Sequence, residues 1–169
     1  YKQIDNDILF FGDGEVKTGE WNELLGNDHI KNRGSGWGYG GLSLENARKI
    51  ANAALTQVQN VEKEEARAVL IYAGTSDVLG SDDLETVKLN YIRLVEEIMS
   101  NCPSARIYTI GLHPTNNATI NTTRIAPFNA FLSEWGPTQV KYIDCYTPFL
   151  DGDVANTTYI KNTNYLYGL

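Results

Sequence analysis

The stretch that decides the fold is Ile8 to Val16, with the sequence ILFFGDGEV. Four apolar residues, the length of a short buried strand, are followed at once by Gly12, Asp13 and Gly14. This pattern predicts a strand that ends in a sharp glycine turn. In open parallel sheets the ligand crevice lies outside the carboxyl ends of the strands, so we expect residue 14 at the mouth of a site. Glycine has no side chain there with which to react.

Apolar segments of strand length and amphipathic segments of helix length alternate along the rest of the chain. The predicted strands after the first are 29–33, 66–73, 106–111 and 140–145, and the predicted helices are 19–25, 43–59, 83–102 and 122–135. Regular alternation of this kind is typical of a parallel sheet with helices on both faces. The sequence therefore predicts an α/β fold, a three-layer α/β/α sandwich with a five-stranded parallel sheet.

Length and charge restrict the function classes. A chain of 169 residues fits a single domain that can bury a sizeable core without a metal or disulfide. The net charge of −7 argues against a nucleic-acid partner, because phosphate binding draws on clustered Lys and Arg. The sequence has no apolar run approaching the roughly 20 residues that span a bilayer, so no membrane insertion is expected.

The chain ends and the cysteines lead to further expectations. The sequence opens on Tyr1 rather than Met and stops at Leu169 after a loop-like segment, where one more helix would be expected. We therefore expect residues 1–169 to be one domain of a larger protein, without its last helix. Cys102 and Cys145 match no metal-ligand spacing and are expected to be unpaired. No metal site and no cofactor are predicted.

Five short segments carry a family resemblance. They are Gly12-Asp-Gly14, Asn32-Arg-Gly34, Gly74-Thr-Ser-Asp77, His113-Pro-Thr-Asn116 and the tail Tyr159 to Leu166. Four of these segments follow successive predicted strands, and together the five cover nearly the whole chain in the right order. In this respect the chain resembles the SGNH hydrolases, also called GDSL-type hydrolases. The resemblance implies the flavodoxin-like fold of that superfamily of esterases and lipases.

The chain departs from the family pattern at its chemical positions. The nucleophilic serine that follows Gly-Asp in the family is Gly14 here, and the oxyanion-hole asparagine of the third block is Ser76. The aspartate and histidine of the terminal block fall on Asn162 and Tyr165. Only the glycine of the second block remains, at Gly34. Acyl transfer by this route needs a nucleophile, a base and an orienting carboxylate, so no catalytic residue is predicted at these positions.

Other residues offer a second set of candidates for chemistry. His113 follows the fourth predicted strand, and Ser35 and Ser76 lie on neighbouring loops, where one of them could serve as a relocated nucleophile. The structural alternative is that His113 orders its loop and that the serines bond to backbone in glycine turns. Asp13 and Asp77 also follow strand ends, where aspartates commonly accept hydrogen bonds from backbone amides.

A glycine-rich segment, residues 34–41, suggests a ligand class. Trp37 and Tyr39 are flanked there by glycines, and sugar rings stack on such aromatic faces. The alternative is that Trp37 packs over the sheet edge and that Tyr165 fills the old catalytic pocket. The candidate ligand-binding residues are Asp13, Trp37, Tyr39, Ser76, His113 and Asn116.

Two hypotheses follow. The first is a non-catalytic domain that binds a ligand, a glycan or an acylated sugar, or that serves as a structural module. Its partners would include the other domains of an extracellular, cell-surface or virion protein. The second is an active esterase or carbohydrate deacetylase with a relocated triad that includes His113.

Overall fold

A single parallel sheet forms the centre of the molecule. The computed structural model describes residues 8–35, 43–46, 48 and 66–160. The five paired strands are β1 Ile8–Gly12, β2 Ile30–Gly34, β3 Ala68–Tyr72, β4 Arg106–Ile110 and β5 Val140–Ile143. Their order across the sheet is β2-β1-β3-β4-β5. The α/β class and the five-stranded parallel sheet are confirmed, and each strand lies within one residue or two of its predicted position.

The helices are mostly short. They are α1 Gly14–Thr18, α2 Trp21–Leu24, α3 Thr75–Leu79, α4 Leu84–Asn101, α5 Ala118–Ile120 and α6 Ala126–Glu134, with a π-helical turn, Asn121–Ile125, joining the last two. A 3₁₀ turn, Thr147–Phe149, and a two-stranded antiparallel hairpin follow β5. The hairpin strands are β6 Leu150–Asp151 and β7 Val154–Ala155. The hairpin was not predicted, because its strands are only two residues long and carry no alternating pattern.

The two faces of the sheet differ in burial. On one face the central side chains are fully buried, at 0–1% exposure: Leu9, Phe11, Val69, Ile71 and Ile107. Right-handed crossovers place α4 and α6 over this face and place α1 and α2 over the other face. On that second face Leu70, Tyr108 and Ile110 are only half-buried. Space is therefore left against the second face, beside α1 and α2.

Helix α4 shows how the sequence pattern becomes packing. The Asp83 carboxylate accepts a hydrogen bond from the Thr86 backbone N–H at 3.1 Å, which caps the first turn as predicted. The predicted apolar stripe is buried along Val87, Tyr91, Leu94 and Ile98. The ring of Tyr91 meets Phe128 of α6 edge to face, with 5.5 Å between ring centroids. This contact joins the two helices over the covered face.

The first helical segment differs from its prediction. Helix α1 begins at Gly14, immediately after the strand-end turn, whereas the sequence predicted a single helix over 19–25. Within that range only Trp21 packs, with its ring centroid 5.1 Å from that of Phe10. Leu24 and Leu25 are 69% and 58% exposed. The helix is a single turn, Trp21–Leu24. It therefore brings Trp21 against the sheet and leaves Leu24 and Leu25 exposed, despite their helical spacing.

Two further boundaries are corrected. Gly74 to Asp77 was predicted as a turn, but α3 begins at Thr75 and places Ser76 on a helix. The helix predicted from residue 122 begins at Ala118, since the π-helical turn continues α5 into α6 without a break. Ser43 caps the start of the helix predicted over 43–59, where its hydroxyl accepts a hydrogen bond from Asn46 N–H at 3.3 Å. Most of the predicted range lies outside the described residues. Cys102 and Cys145 are not joined by a disulfide, as predicted.

Candidate functional site

A group of buried polar side chains lies where β1 and β3 end. Asp13 is 0% exposed, and neither of its carboxylate oxygens makes a hydrogen bond of normal geometry, although Glu15 and Thr75 lie beside it. Glu15 Oε2, the Tyr72 hydroxyl and the Thr75 hydroxyl are also buried without a partner. We call these four residues the buried polar cluster. Buried polar atoms without partners are costly and uncommon, so their presence at strand ends marks a site rather than a packed core.

Burial changes the ionisation of this cluster. It raises the pKa of Asp13 to about 9. The neighbouring Glu15 carboxyl adds to the rise, because two negative charges that are close together and shielded from water repel each other strongly. Burial and the same two carboxyls also raise the pKa of Tyr72. At neutral pH Asp13 is therefore a neutral carboxylic acid.

A cavity of about 340 Å³ opens beside the cluster, against the half-buried face of the sheet. Its wall is almost entirely carbon, supplied by the described residues Phe10, Val16, Trp21, Leu70, Ile110, Phe149 and Ile160. Glu15, Tyr72, His113 and Cys145 complete the described lining. Burial raises the pKa of the Cys145 thiol, and the Asp144 charge adds to the rise, so this group is a thiol at neutral pH. The cavity therefore offers an almost wholly apolar surface.

His113 is among the residues that line this cavity. Its Nδ1 is 3.1 Å from the carbonyl oxygen of Pro114. Since a carbonyl oxygen only accepts, Nδ1 carries the proton and Nε2 is the free acceptor. The imidazole stacks on Tyr72, with 6.1 Å between ring centroids. Within the part of the chain that is described, no hydrogen bond joins His113 to Ser35 or Ser76.

The remaining predicted site residues are spread over the strand ends. The buried Asp77 accepts a hydrogen bond from the Leu44 backbone N–H at 3.0 Å, so its carboxylate holds α3 to the start of the earlier helical segment that Ser43 caps. Ser76 is half-buried on α3, and Asn116 is exposed. The other candidates, Trp37, Tyr39, Asn162 and Tyr165, lie outside the described residues.

Gly34, the one retained family glycine, is explained by packing. A Cβ atom at this position would lie 2.2 Å from the backbone nitrogen of Lys17 in α1. The Gly34 N–H donates to the Asn32 side-chain oxygen at 2.8 Å. The Asn32 amide donates in turn to the carbonyls of Val16 and Gly19, at 2.8 and 2.9 Å. Gly34 thus orients the Asn32 side chain, whose amide fixes α1 to β2.

We expect Gly34→Ala to lower the free energy of unfolding by about 2–3 kcal/mol, because backbone atoms on both sides must move to admit the methyl group. Chemical denaturation measures the change. Gly26→Ala is the control: Gly26 has a φ of 58° but open space around it, so only the backbone strain of about 1 kcal/mol applies. Equal losses in the two variants would contradict the packing explanation.

Two buried asparagines hold the loop after β4, and the sequence analysis missed both. The Asn121 side-chain oxygen accepts from Thr115 N–H at 2.8 Å, and its amide donates to the carbonyls of Thr115 and Asp153, each at 2.8 Å. The Asn129 side chain makes the same paired contact with Leu112, at 2.9 and 2.8 Å. The available signal was their position: both fall on the apolar stripe of a helical segment, where an unpaired amide would be costly.

The described residues contain neither a metal-ligand group nor a membrane-spanning helix. In the described part of the chain, no three His, Cys, Asp or Glu side chains are grouped so that they could hold a metal ion. No helix among the described residues combines the length and the apolar character needed to cross a membrane.

Solved structures share this fold over most of the chain. A structure from Streptococcus pneumonia, provisionally described as a platelet activating factor, aligns with a TM-score of 0.67 at 17% identity, covering 96% of this chain and 81% of that chain. A member of the lipolytic protein G-D-S-L family from Veillonella parvula aligns at 0.59 and 16% identity, covering 95% and 93%. A carbohydrate esterase of family 3 from Talaromyces cellulolyticus aligns at 0.52 and 16% identity, covering 96% and 93%. These similarities show the fold.

Sequence comparison supplies the family. A search of curated proteins found no match. The family model described as "GDSL-like Lipase/Acylhydrolase family" matches residues 14–164, nearly the whole chain. This match agrees with the strand order, with the position of the strand-end loops and with the resemblance found in the sequence. The chain belongs to the GDSL-like lipase/acylhydrolase family.

Proposed function

We propose that this domain is a non-catalytic member of its family that binds a ligand at the strand ends, with a glycan as the ligand class, or serves as a structural module of a larger surface or virion protein. The observation that carries the proposal is the absence of a nucleophile where the family pattern requires one. Gly14 stands directly after β1 and Asp13 and opens α1, so only backbone is available at that position.

The surroundings of Gly14 support the same conclusion. Gly34 N–H already donates to Asn32, and His113, the imidazole in the described lining of the cavity, has no hydrogen bond to a serine within the described residues. A phenol with a raised pKa is a poor base near neutral pH. In serine hydrolases, loss of the nucleophile alone costs on the order of a millionfold in turnover, and losses within the triad are not additive.

A second candidate function is ester hydrolysis through His113. It is favoured by one observation: the Nδ1 contact with Pro114 leaves Nε2 of the neutral imidazole as a free acceptor, which is the form a general base needs. The candidate lacks a hydroxyl within hydrogen-bonding reach of that nitrogen in the described residues. A mobile water would have to act as the nucleophile, or a serine would have to move towards the ring.

We expect the purified domain to hydrolyse acetyl and short-acyl esters no faster than buffer, and we expect the same of Gly14→Ser. The serine variant restores a hydroxyl at position 14 but not the base and carboxylate that activate it, so its rate stays at background. Release of the alcohol or of acetate, followed over a panel of sugar and aryl esters, measures both proteins.

His113→Ala distinguishes a real activity from a contaminating esterase. Turnover by the wild-type domain that disappears in this variant would overturn the non-catalytic proposal and establish the His113 alternative. Turnover that persists in His113→Ala would be traced by further purification, and its loss on purification would leave the proposal standing.

The proposed glycan ligand rests on Trp37 and Tyr39, which follow β2 closely in sequence. The carbohydrate esterase among the similar structures makes sugars a reasonable first panel. Binding of neutral and O-acetylated oligosaccharides, measured by calorimetry, should weaken at least tenfold in Trp37→Ala. Tyr159→Ala, which removes an exposed aromatic ring at the other end of the chain, should leave the affinity unchanged. Equal effects of both variants, or no binding to any glycan, would count against this ligand class.

A further inference from the structure

The cavity against the second face of the sheet has a floor of apolar side chains that are incompletely covered. Phe10, Leu70 and Ile110 line it from the adjacent strands β1, β3 and β4. Leu70 is half-buried, whereas Val69 and Ile71, its neighbours on β3, face the other way and are 0% exposed. Covering such apolar surface is favourable, so the floor of the cavity is a place where an apolar occupant gains binding energy.

The polar residues of the lining have their polar atoms engaged or enclosed elsewhere. Trp21 Nε1 donates to a backbone carbonyl of α1 at 2.7 Å. Glu15 Oε2 and the Tyr72 hydroxyl are enclosed within the buried polar cluster. His113 Nδ1 lies 3.1 Å from the carbonyl oxygen of the residue that follows it. The described wall therefore exposes almost no nitrogen or oxygen to an occupant, although several of its residues are polar by type.

We propose that this cavity binds an uncharged hydrocarbon compound of about ten carbon atoms, held by contact with side-chain carbon and without a hydrogen bond to the protein. The site is on the face of the sheet. The proposal goes beyond the proposed function, because it neither requires nor excludes a glycan at the strand ends and does not depend on the loss of catalysis.

Hydrogen bonding decides against other classes of occupant. An ordered water molecule in a protein cavity needs about two to four polar partners, and the described wall offers almost none. A sugar hydroxyl or a charged group would give up its hydrogen bonds to bulk water and find no replacement, which is costly. A hydrocarbon has no such bonds to lose. It displaces weakly held water, and that exchange favours binding.

The cavity volume sets the size of the ligand. An apolar cavity of about 150 Å³ made by mutation in another protein takes up benzene, and the volume here, about 340 Å³, is roughly twice as large. Two fused rings are therefore the matching size, and naphthalene is the simplest probe. The compounds 2-naphthoate and 2-naphthylmethylammonium carry the same ring system with a negative and a positive charge, so the three probes separate hydrocarbon binding from recognition of a charge.

The experiment measures the affinity of the purified 169-residue chain for these three probes by equilibrium dialysis, with the fluorescence of the naphthalene ring as a second readout. We expect naphthalene to bind saturably at one site per chain and both ions to bind at least tenfold more weakly. Absence of saturable naphthalene binding would mean that other residues of the chain fill the cavity, and it would overturn the proposal. Equal affinity for naphthalene and for either ion would also overturn it.

Filling the cavity tests the location of the site. Leu70→Trp places a large ring in the cavity and should weaken naphthalene binding at least tenfold. Leu89→Trp adds the same ring at an exposed position of α4 and should leave the affinity unchanged. If Leu70→Trp does not fold, the wild-type chain provides the test, because Cys145 lines the cavity.

Bound naphthalene should slow the alkylation of Cys145 by N-ethylmaleimide at least threefold, whereas 2-naphthoate at the same concentration should not. Equal naphthalene affinities in the two tryptophan variants, or an alkylation rate that naphthalene does not change, would show that the hydrocarbon binds elsewhere and would overturn the proposal.

Discussion

Replacing Asn121 by alanine will lower the free energy of unfolding by about 2–3 kcal/mol. The substitution leaves Thr115 N–H buried without a partner, at a cost of about 1–3 kcal/mol, and it removes one donor each from the Thr115 carbonyl, which keeps its bond from Ala155 N–H, and from the Asp153 carbonyl. Alanine itself suits a helix, so the loss reports the hydrogen bonds rather than helix propensity. Urea denaturation followed by circular dichroism measures the difference.

Asn116→Ala is the matched control for this prediction. Asn116 is in the same loop but is exposed, so its replacement should change the free energy of unfolding by less than about 0.5 kcal/mol. A loss below about 1 kcal/mol in Asn121→Ala would show that water or a rearranged loop satisfies the freed groups. In that case the loop after β4 would not be held by the asparagine.

Replacing Asp13 by asparagine will stabilise the protein, and the gain will grow with pH. Asp13 has a pKa of about 9 in the folded chain and an ordinary value of 3.8. Between these values the folded state retains a proton that the unfolded state has released, so stability contributed at low pH is lost as the pH rises. Asparagine has no proton to lose. We expect a gain of several kcal/mol at pH 8 and almost none at pH 4, because keeping the carboxyl protonated costs about 1.4 kcal/mol for each pH unit above its ordinary pKa.

Thermal or urea denaturation at pH 4, 6 and 8 measures this difference, with Asp151→Asn as the control at an exposed position. The control should stay within about 0.5 kcal/mol of the wild type at each pH. A gain in Asp13→Asn that is the same at all three pH values would mean that Asp13 is not protonated in the folded state. A loss at pH 8 would mean that its carboxylate has a partner that stabilises it.

Local patterns were sufficient to predict the sheet and its long helix. The strands of this chain are apolar and bounded by glycine turns, and the stripe from Val87 to Ile98 has the spacing of a buried helix face. Such features depend on neighbours in the sequence. The short helix α1 was missed for the opposite reason: its five residues carry no periodicity, and a glycine at its first position argues against a helix.

The site was harder to predict, because it depends on contacts between distant parts of the chain. Asp13 and Asp77 follow similar strand-end turns, and the same hydrogen bonding was expected of both. Asp77 finds the backbone of Leu44, whereas Asp13 finds no partner. Whether each of these two similar carboxylates is hydrogen-bonded depends on the residues that pack beside it in the fold. The local sequence does not indicate which residues those are. Asn121 escaped notice in the same way, since one of its contacts is 32 residues away in the chain.

The position of Gly34 bears on how such chains are recognised and how they evolve. Because a methyl group there would collide with the backbone of α1, the folded domain requires this glycine whether or not it turns over a substrate. A lineage that loses hydrolysis would keep this part of the family signature for as long as it keeps the fold. Genome surveys that assign hydrolases from signature glycines will therefore also count domains that no longer hydrolyse a substrate. Conversely, a laboratory effort to recover catalysis on this scaffold could leave the β2 loop as it stands and confine its changes to side chains.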